Sequence, residues 1–262
     1  MKKTCQANGI KLAYQEQGQG EAVVLLHGFC GSSTYWDSVI PELAKDYRVI
    51  APDLRGHGDS AASVGTYSME LFAEDCKQLL DTLDISQATL FGHSLGGYIT
   101  LAFAEKYPER LKAFGLIHST GLPDTDEAKQ NRYKGAERIA QEGIEPFVND
   151  LVPKLFSPDN LSSMKDDVEK VRQIGAATEP EGAQNTLKGM AERPNRNAVI
   201  ANTSLPVLLV AGQDDQVIAP DKTFSVEQQL LTTATLPHVG HMSMYEGPNK
   251  LIDTLRSFLQ PK

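Results

Sequence analysis

The stretch LFGHSLGGYI, residues 90–99, decides the fold class, because an apolar run changes there to a helical pattern across a glycine-rich turn. The pattern predicts a buried strand over residues 88–91 and a helix over residues 94–106. GHSLG at 92–96 matches G-x-S-x-G, a pattern that occurs by chance in about one chain in ten of this length. The predicted strand-turn-helix setting makes Ser94 a candidate nucleophile rather than only a turn residue.

In this setting Ser94 is expected to have a strained backbone at the tip of the turn. Only glycine-sized neighbours at positions 92 and 96 would let the chain pass so closely. A serine hydroxyl is a poor nucleophile until a base takes its proton, so the hypothesis requires a histidine and a group that orients it.

The rest of the chain alternates strands with helices, which predicts a doubly wound parallel sheet. Several apolar runs are continuous rather than alternating, as in strands that are covered on both faces. The predicted strands are Ala22–Leu26, Tyr47–Ala51, Ala88–Phe91, Ala113–Ile117 and Val207–Ala211. A helix with Thr66 or Ser68 as its N-cap is expected around residues 69–83. Residues 4–17 predict an edge hairpin that turns at Asn8-Gly9.

The strand signal disappears between residues 121 and 203, where helices broken by Gly and Pro are predicted. We interpret this segment as a helical cap inserted after the sixth strand, with residues 1–120 and 204–262 forming the core; the alternative is a helical flank without a functional role. The predicted helices include Glu127–Gln141, Ile144–Phe156 and Asn160–Ile174. The last part of the chain is predicted to form a helix at DKTFSVEQQL, a strand at TATLP and a helix at LIDTLRSFL.

Candidate partners for Ser94 follow later strands, because the carboxyl ends of parallel strands share one rim. Asp215 is favoured over Asp214 as the acid because it lies further beyond its strand. Among the six histidines, His241 is favoured over His238 because it follows a glycine that permits a sharp loop. The spacing of these two histidines does not indicate a metal site, since no third ligand is apparent.

An oxyanion formed at Ser94 would need hydrogen-bond donors. The backbone amides of Leu95, at the start of the helix, and Phe29, in the glycine-rich loop after the first parallel strand, are the candidates. Three other residues are candidates for lining the pocket: Cys30, His118 and Met242. For His118 a structural role is an equal alternative.

Other polar side chains have less support for a functional role. The predicted cap carries basic residues that would suit an acidic substrate, although scattered charges on helices are usually solvated: Arg132, Arg138, Lys154 and Arg193. DLRGHGDS places Asp53, Arg55 and His57 together, and we interpret this stretch as a structural loop.

Composition excludes some classes of function. The formal net charge of −9 argues against nucleic-acid binding, which depends on clustered Lys and Arg. The three cysteines are widely spaced and suggest neither a disulfide framework nor a CxxC site, as is usual in a reducing cytoplasm. No signal-peptide core or membrane-spanning run is apparent. We therefore expect a cytoplasmic protein with a small-molecule partner, no nucleic-acid or membrane partner, and no metal.

Taken together, the chain resembles the α/β-hydrolase fold family, in particular its serine esterase, lactonase and cofactor-free haloperoxidase-like branch. The resemblance rests on five stretches in family order: LLHGFCGSSTYW, YRVIAPDLRGHGDS, GHSLGG, GQDD and VGHMSMYEGP. It implies a mostly parallel eight-stranded sheet, no cofactor, and a triad of Ser94, Asp215 and His241 with Phe29 and Leu95 as oxyanion amides. Serine at position 94 departs from branches that attack with aspartate.

The expected function is hydrolysis of a small carboxylic ester or lactone through an acyl-enzyme. Two alternatives remain open at this point. The same triad would serve carbon-carbon bond hydrolysis, hydroxynitrile cleavage or perhydrolysis, and the scaffold would also suit a ligand-binding or signalling protein.

Overall fold

The computed structural model describes residues 2–260, which are built around one eight-stranded sheet. The strands are β1 (Lys3–Ala7), β2 (Ile10–Gln17), β3 (Ala22–Leu26), β4 (Arg48–Pro52), β5 (Ala88–His93), β6 (Leu111–Ile117), β7 (Val207–Gly212) and β8 (Leu231–Leu236). Their order across the sheet is β1-β2-β4-β3-β5-β6-β7-β8. The pairs β1–β2 and β2–β4 are antiparallel and the other pairs are parallel. The predicted fold class is therefore confirmed.

Helices flank the sheet and fill the segment between β6 and β7. In chain order they are α1 (Ile40–Leu43), α2 (Met69–Thr82), α3 (Leu95–Lys106), α4 (Asp126–Glu142), α5 (Ile144–Leu155), α6 (Lys165–Ala176), α7 (Pro180–Ala191), α8 (Asn197–Asn202), α9 (Pro220–Thr223), α10 (Ser243–Glu246) and α11 (Pro248–Leu259). Short 3-10 turns occur at Ser33–Trp36 and Pro108–Arg110. Within residues 2–260, no helix has the combination of length and apolar character that crossing a membrane requires.

The N-terminal hairpin forms at the edge of the sheet as predicted. Asn8 and Gly9 both have positive φ, 47° and 77°, as a two-residue type I′ turn requires. Strand β1 then pairs with β2 from Lys3 opposite Tyr14 to Ala7 opposite Ile10.

The central strands explain why their sequences are continuously apolar. Every residue of β3, β5 and β7 is buried, as expected for parallel strands covered on both faces. Of the two proposed N-caps of α2, Ser68 is the one found, and its side chain accepts a hydrogen bond from the amide of Leu71. These residues place β5 and α3 in the centre of the fold, on either side of Ser94.

Two helical predictions were wrong. The helix predicted to start at Asn160 begins at Lys165, because residues 158–163 form turns instead. In these turns the amides of Ser163 and Met164 donate to the carbonyl of Asn160. In DKTFSVEQQL the helix α9 ends at Thr223, and the residues after it form a loop leading into β8. Both stretches contain helix-forming residues without a continuous apolar stripe, so tertiary contacts decide their conformation.

Helix α7 attaches the segment 121–203 to the core through two close backbone approaches. A Cβ at Gly189 would lie 1.7 Å from the carbonyl oxygen of Tyr67, and one at Gly182 would lie 2.4 Å from that of Gly56. The two glycines are seven residues apart and so share one face of the helix. Glycine at both positions lets α7 lie directly on the loop that follows β4.

The loop after β4 is fixed by buried polar groups, in agreement with its interpretation as structural. Asp53 accepts hydrogen bonds from the amides of Ser33 and Asp59, both at 2.8 Å. Arg55 forms two bonds to Asp75 of α2, from Nε to Oδ2 at 2.9 Å and from Nη2 to Oδ1 at 2.5 Å. Both of these side chains are 4% exposed, so the ion pair is effectively removed from water.

Two buried histidines connect this loop with the loop after β3. His27 Nε2 accepts a bond from the amide of Leu54 at 2.9 Å, and its Nδ1 donates to the carbonyl of Gly28 at 2.7 Å. His57 Nδ1 donates to the carbonyl of Arg55 at 2.9 Å. Burial, aided by the neighbouring His57, lowers the pKa of His27 to about 3, and burial lowers the pKa of His57 to about 4.

We predict that Arg55→Met lowers the free energy of unfolding by about 3–5 kcal/mol, because it leaves the Asp75 carboxylate buried without its partner. Chemical denaturation measures the loss. Lys77→Met is the matched control, since Lys77 pairs with the partly exposed Asp81 and its removal costs less than about 1 kcal/mol. Equal losses in the two variants would contradict the structural role of the buried pair.

We also predict that stability falls as the pH is lowered from about 6.5 to about 4. In this window the unfolded chain binds a proton at His57 that the folded protein excludes, so each such histidine costs about 1.4 kcal/mol per pH unit. His57→Gln should flatten the dependence of unfolding free energy on pH relative to that of the wild-type protein. An unchanged slope in His57→Gln would refute the assignment.

Candidate active site

Ser94 occupies a tight turn between β5 and α3. Its φ of 51° and ψ of −112° lie outside the regions that L-residues normally adopt. A Cβ at Gly92 would lie 2.1 Å from the carbonyl oxygen of Gly96, and a Cβ at Gly96 would lie 2.4 Å from that of Leu26. The two glycines of G-x-S-x-G are therefore required by the close passage of the chain, as the sequence predicted.

The loops that carry the predicted triad all follow strands at the same edge of the sheet. Parallel pairing brings the ends of β3, β5, β6, β7 and β8 together there. Ser94 follows β5, Asp215 lies in the turn after β7, and His241 lies in the loop after β8. The structure thus brings together residues that are more than 100 positions apart in the chain.

Asp215 and His241 form a buried hydrogen-bonded pair. His241 Nδ1 lies 2.7 Å from Asp215 Oδ2. The other carboxylate oxygen, Oδ1, accepts bonds from the amides of Val217 at 2.8 Å and Ile218 at 2.9 Å. Burial acts against ionisation, but His241 and His118 hold the pKa of Asp215 well below its usual range. The pair therefore contains a carboxylate that stays ionised and fixes the orientation of the imidazole.

His118 is a second imidazole beside the same carboxylate. Its Nδ1 lies 3.3 Å from Asp215 Oδ2 and 3.1 Å from the amide nitrogen of Gly212. The amide of Gly212 donates to this nitrogen, so Nδ1 is a hydrogen-bond acceptor and the proton of the neutral ring lies on Nε2. Burial lowers the pKa of His118, and Asp215 acts in the opposite direction.

The ligand-type atoms of His118, Asp215 and His241 all lie within 4.8 Å of one another. This is the cluster within the described residues that has the composition of a metal site. Hydrogen bonds already account for its geometry, since Asp215 Oδ2 lies 2.7 Å from His241 Nδ1 and the amide of Gly212 donates to His118 Nδ1 at 3.1 Å.

His93 positions the loop that carries His241, a role that the sequence analysis missed. Its Nε2 donates to the carbonyl oxygen of His241 at 2.8 Å. A Cβ at Gly28 would lie 2.6 Å from His93 Nδ1, so glycine there leaves room for the ring. The one signal in the sequence was the position of His93, directly before Ser94 at the end of a buried strand.

Ser94 and His241 line the same cavity, which has a volume of about 80 Å³. One water molecule needs about 10–15 Å³, so the cavity is several times larger than a single water requires. Met242 also lines this cavity, as expected. Cys30 and His118 are not among its lining residues, contrary to the expectation: Cys30 is buried with burial raising the pKa of its thiol, and His118 lies behind Asp215.

Of the two proposed oxyanion donors, Phe29 is among the residues that line the cavity, and Leu95 directly follows Ser94 in the chain. Phe29 follows Gly28 in the loop after β3, and its ring lines the cavity together with Ser94. Leu95 is the first residue of α3, where backbone amides have no acceptor within the helix. Phe29 packs edge-on against Phe147 of α5, which links this loop to the segment 121–203.

The segment 121–203 supplies the opposite wall. Four of its side chains line the cavity: Arg132 of α4, Leu151 and Leu155 of α5, and Met190 of α7. Two of the other basic residues considered from the sequence, Arg138 and Lys154, are exposed or partly exposed on helix surfaces. Arg132 is therefore a charged residue of this segment that reaches the cavity of Ser94.

Comparison with known proteins shows the family of this chain. A family model described as alpha/beta hydrolase fold matches residues 21–248. Among curated relatives, a putative 2-succinyl-6-hydroxy-2,4-cyclohexadiene-1-carboxylate synthase of Bacillus subtilis is 29% identical over 97% of this chain and 96% of that protein. The 3-oxoadipate enol-lactonase 2 of Acinetobacter baylyi is 29% identical over 94% of this chain and 92% of that protein.

A solved structure extends the agreement to the whole fold. A thermophilic esterase from Thermogutta terrifontis, with malate bound, is 32% identical, has a TM-score of 0.94, and matches over 99% of this chain and 98% of its own. The chain belongs to the α/β-hydrolase fold family and is an enzyme with hydrolase activity.

Proposed function

We propose that the protein is a serine hydrolase that cleaves a small carboxylic ester or lactone through an acyl-enzyme, with Ser94, His241 and Asp215 as its catalytic triad. The observation that carries the proposal is the 2.7 Å contact between His241 Nδ1 and Asp215 Oδ2. The imidazole held by this contact lines the same cavity as Ser94.

In the proposed mechanism, His241 Nε2 takes the proton of the Ser94 hydroxyl as its oxygen attacks the substrate carbonyl. The amides of Phe29 and Leu95 stabilise the negative charge that develops on the carbonyl oxygen. His241 then returns the proton to the leaving alcohol, and the acyl-enzyme forms. Water, deprotonated by His241, attacks the acyl-enzyme in a second round of the same steps and releases the acid.

Asp215 stabilises the imidazolium that forms in each round and keeps its proton on Nδ1. Its ionised state, favoured by the neighbouring His241 and His118, suits this role. His93 and His118 serve as positioning residues in this mechanism. His93 bonds the backbone of His241, and His118 lies beside Asp215.

The ester or lactone specificity is supported by relatives rather than by the triad, which is common to many reactions. One relative is named an esterase and another an enol-lactonase. We also propose that residues 121–203 act as a cap domain over a core of residues 1–120 and 204–262. The contribution of Arg132, Leu151, Leu155 and Met190 to the cavity supports this division.

A second candidate keeps the triad and changes the reaction, as in carbon-carbon bond hydrolysis. The relative named a cyclohexadiene-carboxylate synthase favours a reaction other than ester hydrolysis, because that protein matches 97% of this chain. A substrate panel of graded esters, lactones and β-diketones separates the two candidates. Turnover of β-diketones without turnover of esters or lactones would replace the first candidate by the second.

We predict that Ser94→Ala lowers kcat for an activated short-chain ester by about 10⁴-fold or more, and that Asp215→Asn lowers it by about 10⁴-fold because the imidazole loses its orienting charge. Steady-state kinetics on purified protein measures both. A fluorophosphonate should add to Ser94, as detected by intact mass, and should not add to Ser94→Ala.

Asp214→Asn is the matched control for Asp215→Asn. The Asp214 carboxylate is next in the chain but bonds to the hydroxyl of Ser157, at 3.3 Å, instead of a histidine. Its activity should stay within a few-fold of the wild-type protein. Equal losses at positions 214 and 215, or full activity in Ser94→Ala, would refute the triad.

A further inference from the structure

Arg132 and Arg193 differ from the other basic side chains of the segment 121–203 because they share one buried carboxylate. Arg132 Nε bonds to Asp124 Oδ2 and its Nη2 lies 3.3 Å from Oδ1, while Arg193 Nη2 lies 2.7 Å from Oδ1. The side chains of Asp124 and Arg193 are only 6% and 5% exposed. Two guanidinium groups and one carboxylate leave an excess positive charge in a largely buried place, which favours binding of an anion.

The guanidinium groups of Arg193 and Arg132 differ in the partners of their hydrogen-bond donors. Arg193 also donates from Nη1 to the carbonyl of Met190 at 2.9 Å and stacks over the ring of Tyr98, 4.0 Å from its centroid. Arg132 Nη1, in contrast, has the thioether sulfur of Met190 as its partner, at 3.5 Å. A thioether is a weak acceptor, so Arg132 keeps donor capacity beside the cavity of Ser94.

A second, larger cavity of about 390 Å³ continues from that of Ser94, and the two share Tyr98, Arg132 and Val217 as lining residues. The charged residues among its lining are Arg132, Arg193, Lys222 and Asp124. Three cations against one carboxylate give this cavity the opposite sign to the whole chain, whose net charge is −9. A positive cavity in an acidic protein attracts anions selectively.

We propose that Arg132 binds a carboxylate of the substrate, so that the enzyme acts on esters or lactones that carry a free carboxylate group. This inference rests on the proposed function, and it names the substrate class of the same site. The reacting carbonyl lies at Ser94, and the carboxylate end extends to the boundary of the two cavities, where the guanidinium of Arg132 forms charge-assisted hydrogen bonds with it. Asp124 holds the guanidinium of Arg132 in place, and Arg193 binds the same carboxylate.

The test compares matched pairs of p-nitrophenyl esters. The mono-esters of succinate, glutarate and adipate carry the carboxylate, and the butanoate, pentanoate and hexanoate esters replace it by a methyl group. At the best chain length, the wild-type protein should have a kcat/KM at least about 10-fold higher for the carboxylated ester. Arg132→Gln should lower the ratio of the two kcat/KM values by about 10- to 100-fold, as expected for loss of a charged hydrogen bond.

Two further variants keep the test decisive. Arg132→Lys retains the charge without the planar fork and should give an intermediate ratio, which decides the matter if Arg132→Gln has a greatly lowered melting temperature. Arg138→Gln removes an exposed arginine of the same helix, paired with Glu142 and Asp150, and should leave the ratio unchanged. Preference for the neutral ester at all three lengths, or equal losses on both esters of a pair in folded Arg132→Gln, would overturn the proposal.

Binding of glutarate separates this proposal from the proposed function. Calorimetry on Ser94→Ala, with and without Arg132→Gln, should show at least about a 10-fold weaker affinity in the double variant. Failure of the wild-type protein to hydrolyse any of the esters would overturn the ester hydrolase, whereas unchanged glutarate affinity on loss of Arg132 would overturn the carboxylate site.

Discussion

The first turn of α3 packs on the end of β3 at a separation that only glycine at position 96 allows. A Cβ there would lie 2.4 Å from the carbonyl oxygen of Leu26 and 2.9 Å from that of His27. This contact fixes the start of α3 against the loop that carries Phe29. The distance between the two proposed oxyanion amides, Phe29 and Leu95, therefore depends on the absence of one methyl group. The strained backbone of Ser94 is held in the same contact, since it lies between the strand and this helix.

Buried histidines position the other loops at this edge of the sheet. His27 bonds the loop after β3 to the loop after β4, and His93 bonds the end of β5 to the loop of His241. His118, after β6, lies against the end of β7 at Gly212. His27 donates on one side and accepts on the other while remaining neutral, whereas His93 and His118 each bond through one ring nitrogen. Hydrogen bonds from imidazole rings thus join neighbouring loops at this edge of the sheet, and the geometry of the edge does not rely on packing alone.

Much of the fold follows from local pattern in the sequence. Continuous apolar runs identify β3, β5 and β7, Asn8-Gly9 identifies the hairpin turn, and the glycines around Ser94 identify the turn before α3. The positions of Asp215 and His241 also followed, because parallel strands end at one rim. The start of α6 and the loop after α9 did not follow, because no continuous apolar stripe distinguishes helix from turn there. The roles of His93, His118 and Arg132 depend on neighbours distant in the chain, which no local pattern contains.

The arrangement around Asp124 connects stability with ligand binding. A single carboxylate between two guanidinium groups cannot neutralise both, and the remaining charge is costly because Arg193 and Asp124 are almost completely removed from water. Replacing Asp124 by a neutral residue would leave Arg193 buried without its partner, whereas a second acidic residue would reduce the positive charge of the cavity and weaken its attraction for an anionic substrate. One carboxylate therefore holds the arginines together and still leaves the cavity positive. An anion bound at Arg132 would reduce the remaining imbalance, so it would stabilise the folded protein as well as occupy the site.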